Sequence, residues 1–303
     1  MLGACVTALA LGLCGCSQSS EETIKKNYIL IWSDEFGADG SVTAALPDEI
    51  NWSYETGFVR NHEDQYYRGV TDAANPENNN AYCKNGMLHL RAKKERFENQ
   101  AYEAGSSDWR KTRQYAEYSS ACLESVGKRE FTYGRVELRA KIPVANGMWP
   151  AFWTLGSSGE WPSCGEIDVM EYYRKCVRAN AAWGSSVEWS AQWDSVAQPL
   201  SSLTADPDAW AAEFHVWRMD WDETSIKIYL DEALVNTISQ GTAVNAVSAW
   251  AGEAGLYPFK HGQYFILNLA IGGDNGCEPG TSLDAADFPA ELLVDYLRVY
   301  QAE

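Results

Sequence analysis

Apolar and polar residues alternate along much of the chain. The clearest run is Arg135–Ile142, where Val136, Leu138, Ala140 and Ile142 interleave with Arg135, Glu137, Arg139 and Lys141. A period of two sends one face of a strand into a core and the other into water. Shorter β-rich runs lie at Tyr28–Trp32, Met87–Ala92, Phe214–Asp220, Ser225–Leu230, Tyr264–Ala270 and Leu292–Tyr300. Turn signals separate them, such as Asn85-Gly86 ahead of Met87, a pair suited to a tight hairpin. No long helical spacing and no solenoid or propeller repeat appears. Many short strands predict an all-β sandwich or barrel. Residues 95–118 and 239–262 read as long loops, where sites on a β-scaffold are usually built.

The first residues follow another pattern. Residues 4–15 are apolar but too few to span a bilayer as a helix. They read as the apolar part of a secretory signal, although no Lys or Arg precedes them. Leu13-Cys14-Gly15-Cys16 resembles the bacterial lipoprotein processing box, in which the last Cys is lipidated. The expected organisation is a signal peptide and box over 1–16, with Cys16 lipidated, a polar tether over 17–27, and one domain over 28–303. The protein would then be exported to the bacterial cell surface or periplasm. It would touch the membrane only through its N-terminal lipid anchor. An ordinary cleaved signal peptide is the alternative.

Charge narrows the partners. The 303 residues carry 42 Asp plus Glu against 24 Lys plus Arg, a net charge of −18. Such a polyanion is repelled by nucleic-acid phosphates and by anionic lipid, so neither is expected as a partner. It also disfavours heavily sulfated substrates, unless a local basic pocket overrides the repulsion. Much of the 13 Trp and 16 Tyr must be core, but such rings are also the usual surface for stacking flat ligands. Past Cys16 remain Cys83, Cys122, Cys164, Cys176 and Cys277, without C-x-x-C spacing. Buried free thiols are expected, and any disulfide pairing stays open. The four His lack metal-binding spacing; His89 and His215, in strand patterns, read as structural.

The chemistry concentrates in Gly165-Glu166-Ile167-Asp168-Val169-Met170-Glu171-Tyr172-Tyr173. On a strand, Glu166 and Asp168 share a face, whereas Glu171 faces away. A β-bulge at Val169-Met170 would bring Glu171 back into the row. Like charges so close raise at least one pKa. A raised and an ordinary carboxylate side by side suit a glycosidase, one as acid and one as nucleophile. A cation-binding carboxylate ladder is the competing reading. Trp149, Trp153 and Trp161 lie just upstream, and indole stacks on the apolar face of a pyranose.

Glu166-Ile167-Asp168-Val169-Met170-Glu171 resembles the signature of glycoside hydrolase family 16 in its bulged form. Leu30–Phe36, Phe131–Glu137, Gly147-Met148-Trp149-Pro150-Ala151-Phe152-Trp153, Asn268–Gly273 and Val294–Tyr300 are similar to further family motifs, in family order. The resemblance implies a β-jelly-roll, concanavalin-like sandwich with an open substrate cleft on its concave sheet. It implies Glu166 as nucleophile, Glu171 as general acid/base and Asp168 between them, tuning the nucleophile. In a retaining mechanism the two carboxyl groups stand about 5–5.5 Å apart. The resemblance also implies a structural Ca²⁺ on Glu35, the carbonyl of Gly86 and Asp295, with oxygen ligands that suit this ion. Surface carboxylates without metal are the alternative, and no cofactor is needed for catalysis.

Trp149 and Trp153 are candidates for the cleft floor and Trp161 for its wall, with core packing as their alternative. Asn61, in Arg60-Asn61-His62-Glu63-Asp64-Gln65-Tyr66-Tyr67, matches a sugar-contacting Asn of family β-1,3-glucanases. His62 and Asp64 depart from that stretch. Ala182-Trp183-Gly184 stands where many such glucanases have His-Tyr-Gly, so an imidazole is lost and Trp183 is expected to offer a ring. Gln192, Trp193 and Asp194 are further candidate contacts. These departures lean the expectation toward an endo-acting, retaining enzyme on β-galactoside chains of mucin or keratan type, acting as a monomer. A β-1,3- or mixed-linkage glucanase, a transglycosylase and a non-catalytic sugar-binding lipoprotein are the rivals. The paired Glu166 and Glu171 argue against the last.

Overall fold

A computed structural model describes residues 27–37, 42–246, 252, 255–284 and 287–303. The signal, lipid box with Cys16 and nearly all the tether lie outside the described residues. In chain order the strands are β1 (Tyr28–Asp34), β2 (Ser53–Glu55), β3 (Gln65–Tyr67), β4 (Ala81–Lys84), β5 (Met87–Glu98), β6 (Tyr115–Ser120), β7 (Cys122–Glu124), β8 (Glu130–Phe131), β9 (Gly134–Lys141), β10 (Met148–Gly156), β11 (Glu166–Tyr173), β12 (Cys176–Gly184), β13 (Ala191–Pro199), β14 (His215–Trp221), β15 (Ser225–Leu230), β16 (Ala233–Ser239), β17 (Gln263–Ile271) and β18 (Ala290–Ala302). One sheet runs β16-β15-β14-β9-β18-β5-β6-β3, with β1 on β18 and β4 on β5; the other runs β13-β12-β11-β10-β17-β7-β2, with β8 on β17. The two form the expected jelly-roll sandwich.

The alternation in β9 has the predicted cause. Val136, Leu138 and Ala140 are buried, and the charged residues between them are not. From the facing sheet Phe152, Ile167, Val169, Met170 and Leu267 enter the same core. Asn85 and Gly86 both take positive φ, 55° and 71°, and close the β4–β5 hairpin. The segment 95–118 is less of a loop than its composition suggests. β5 continues to Glu98, and Phe97 and Glu98 pair with Ala116 and Tyr115 of β6, leaving a short connection with one helical turn. Among the described residues all five cysteines are free; Cys83, Cys122 and Cys164 are buried. His215 is held by Asp231 and the carbonyl of Trp210, a structural role as expected.

Glu35 and Asp295 take partners that bear on the calcium expectation. Arg298 grips both oxygens of Glu35 at 2.8 Å, and Arg139 pairs with Asp295. Guanidinium groups thus engage both carboxylates expected to serve a cation. Among the described residues no three His, Cys, Asp or Glu gather as a metal-holding group.

Candidate active site

The site is built on β11. Gly165 enters the strand at φ 85°, and a Cβ there would meet Pro258 and Phe259 at 2.9 Å, so only glycine fits this close approach. Opposite β10, Phe152 pairs with Met170 and Trp153 with Asp168, which leaves Val169 without a partner. The register on β12 shifts between the same residues. This is the bulge the carboxylate spacing requires. Val169 and Met170 both turn into the core, and Glu171 rejoins Glu166 and Asp168 on the face that lines one cavity.

Each carboxylate accepts a hydrogen bond from a neighbouring side chain. The Trp161 indole Nε1 donates to Glu166 Oε2 at 2.6 Å, and Trp149 Nε1 donates to Glu171 Oε1 at 2.8 Å. Asn180 Nδ2 donates to both Asp168 Oδ2, at 2.9 Å, and Glu171 Oε2, at 3.1 Å. Burial pushes Glu171 up to about 8, against the hydrogen bonds of Trp149 and Asn180 and the charge of Arg178, which hold it down. Burial likewise raises Glu166 to about 7, while hydrogen bonds from Trp161 and Asp168 hold it down. Asp168 is raised well above its usual range by burial and by the charge of Glu166. The cluster therefore loses its first proton at Glu166, while Asp168 keeps its own and donates it in a hydrogen bond to that carboxylate. One anionic and one protonated carboxyl on a single face can perform nucleophilic attack and proton donation together.

The walls combine expected and unexpected residues. Trp149, Trp153, Trp161 and Asn61 all line a cavity of about 520 Å³ over the carboxylates. Trp149 and Trp153 are 6% and 9% exposed and act mainly through their indole N–H groups, that of Trp153 donating to Asn268 Oδ1 at 2.7 Å. Arg60, gripped by Glu55, covers the Trp153 ring. Trp161, 38% exposed, keeps an accessible ring. Asn61 takes a left-handed φ of 54°, and its amide donates to buried Glu63. Gly273 permits this loop to close, since a Cβ there would stand 2.6 Å from the Asn61 carbonyl oxygen.

Trp183 is not in the cleft. It packs in the inter-sheet core against Phe259 and is 7% exposed. The reason is strand parity. Ala182 pairs with Glu166 and shares its face, so Trp183 must point the other way. The ring over this end of the cleft comes instead from Trp193, which pairs with Ala182 across β12–β13 and is 49% exposed. Arg178, Asn180, Tyr173, Ser195 and Asn275 also line the cavity without having stood out in the sequence. The alternation of Arg178, Asn180 and Ala182 was the only signal for the two on β12.

Comparison with known proteins accords with this geometry. Residues 71–253 match the family model for glycosyl hydrolases family 16. Over 298 residues the chain is 31% identical to a beta-glucanase of Rhodothermus marinus, covering 95% of this chain and 91% of that one. The chain belongs to glycosyl hydrolases family 16. It is also 29% identical over 281 residues to a keratan-sulfate endo-1,4-beta-galactosidase of Sphingobacterium multivorum, covering 91% of this chain and 56% of that enzyme. A solved structure, described with endo-acting O-glycanases that prominent members of the human gut microbiota express to initiate mucin breakdown, superposes with a TM-score of 0.74. The two are 31% identical over 91% of each chain. This family 16 member is accordingly a glycoside hydrolase, an endo-acting β-glycosidase.

Proposed function

We propose that the enzyme retains anomeric configuration and cuts internal β-1,3 or β-1,4 linkages in β-galactoside chains of the mucin or keratan type. Glu166 attacks the anomeric carbon and forms the glycosyl-enzyme. Glu171, still protonated near neutrality, gives its proton to the departing oxygen. It then takes a proton from the water that releases the sugar. Asp168 positions Glu166 through their hydrogen bond.

The substrate reading rests on one observation. Small Ala182 stands beside Glu166, and Trp193 from the next strand supplies a ring there in place of an imidazole donor. A site that trades a hydrogen bond for a stacking face selects a differently shaped sugar. The likeness to the O-glycanase structure and to the keratan-sulfate enzyme supports this reading. A β-1,3- or mixed-linkage glucanase is the second reading, favoured by the identity to the Rhodothermus beta-glucanase.

A product profile tests both. The protein without residues 1–27 is incubated with β-1,3-glucan, mixed-linkage β-glucan and a mucin- or keratan-type glycan, beside its Glu166→Gln variant. Oligosaccharides released only from the galactoside chains support the proposal; release only from the glucans replaces it with the second reading. We also propose that Cys16 carries a lipid that holds an exported, monomeric enzyme at a membrane. The Leu13-Cys14-Gly15-Cys16 box supports this. Cys16→Ser is expected to move the protein from the membrane to the soluble fraction, and an unchanged distribution refutes the anchor.

A further inference from the structure

Arg178 is an unusual cation for this molecule. It stands directly across from Glu171 in the β11–β12 register and lines the same cavity. The other arginine of the cleft, Arg60, is held by Glu55 at 2.5 and 2.6 Å. Arg178 forms no ion pair with any described residue, and its Nε is buried without a hydrogen-bond partner. Its guanidinium carbon sits 3.9 Å from the centre of the Tyr173 ring. Stacking of this kind fixes the plane of the group and leaves its edge donors for a planar or tetrahedral oxyanion. In a chain with 42 acidic and 24 basic residues, an unpaired cation recessed in a cavity is costly unless an anion comes to it. Glu171, across the strand pair, feels the charge of Arg178 but forms no ion pair with it.

The position identifies which sugar would bring the anion. The strand order β13-β12-β11-β10-β17 puts Arg178, on β12, and Trp193 and Ser195, on β13, on one side of the carboxylate row of β11. Arg178 is the cross-strand partner of Glu171, the acid of the proposed mechanism, so it lies beside the group that protonates the departing sugar. Ser195 and Asn275 line the same cavity and add neutral polar groups, and Trp193 adds a ring.

We propose that Arg178 is a subsite for an anionic substituent, a sulfate ester or a carboxylate, on the leaving-group sugar of the chain being cut. The assignment rests on the endo-β-glycosidase reading of the site and deepens it. It gives the local basic pocket that offsets the repulsion of a polyanionic protein for a charged glycan.

The test compares matched oligosaccharides that are neutral, sulfated or carboxylated on the leaving-group sugar. They are prepared on both a β-galactoside and a β-glucan backbone, so that whichever backbone is cut supplies the comparison. The readout is the ratio of kcat/KM for the anionic substrate to that for the neutral one. A charge-assisted pair predicts a ratio of roughly ten to a hundred for at least one anion in the unmodified protein. Arg178→Gln should bring that ratio to about one or below, and Arg178→Lys should retain part of it, a charge without the planar fork. The sulfated and carboxylated arms distinguish the two sources. Cleavage with the same ratio in the unmodified protein and in Arg178→Gln overturns the subsite. So does an alkaline limb of the pH profile that moves upward in Arg178→Gln while the ratio stays fixed, because Arg178 would then act only on Glu171. Failure to cut any of these oligosaccharides, neutral or anionic, instead overturns the glycosidase reading, and the subsite with it.

Discussion

Trp161→Phe separates the nucleophile from the rest of the cluster. The substitution keeps an aromatic ring at the cleft wall and removes the indole N–H that donates to Glu166 at 2.6 Å. That donor favours the carboxylate, so its loss raises the Glu166 pKa. A hydrogen bond to an ionised group contributes roughly 1.5–3 kcal/mol. Trp161 is 38% exposed, so the lower figure applies. About 1.4 kcal/mol is about one pH unit. Glu166 must be ionised and Glu171 protonated, so kcat/KM follows a bell with limbs near about 7 and about 8. Raising only the acid limb by about one unit lowers activity about tenfold at pH 6 but only about twofold at the optimum. Lost stacking on the sugar would reduce activity equally at every pH, so the position of the limb, not its height, carries the information. The assay is kcat/KM on a soluble oligosaccharide from about pH 5 to 10. An acid limb that stays in place in the folded variant refutes the role given to this hydrogen bond.

Asn180→Ala should move the other limb: its amide favours ionised Glu171, so the alkaline limb rises, and a shift of the acid limb alone would reverse the assignment of the two carboxylates. Glu166→Gln should lower turnover on the order of 10⁴-fold or more. Its melting temperature should not fall, because a neutral amide replaces one of three crowded carboxyl groups; retained activity would remove Glu166 from the chemistry. Trp183→Ala should destabilise the fold by about 3–5 kcal/mol in denaturant unfolding, as expected for a buried ring. Trp193→Ala should change stability by only about 0.5 kcal/mol and raise KM, since its ring is half exposed at the cleft. The opposite pattern would invert the parity of β12.

The carboxylate row was legible because its signal is local. Glu166, Asp168 and Glu171 lie within six residues, and only one bulge reconciles their spacing with a single face. The alternation of β9 was legible for the same reason. What surrounds the row comes from distant segments: Arg60 and Asn61 from the loop before β3, and Asn268 from β17. No short pattern links those positions to β11.

The misplacement of Trp183 has a narrower cause. The register of β12 on β11 is set by a two-residue turn at Arg174-Lys175, both with positive φ, 48° and 56°. Such turns are usually marked by Asn or Gly, and neither stands here. Without the turn, the pairing of Tyr173 with Cys176 is invisible, and so is the count that leads from it to Arg178, Asn180 and Ala182. The bulge then changes that count by one residue within the same strand pair. A turn without its usual residues and a bulge one strand away together decide that Ala182 faces the nucleophile and Trp183 the core. A ring and a methyl group exchange faces on a shift of one position, which is why the carboxylates identify the reaction while the leaving-group side, and with it the choice of sugar, depends on register.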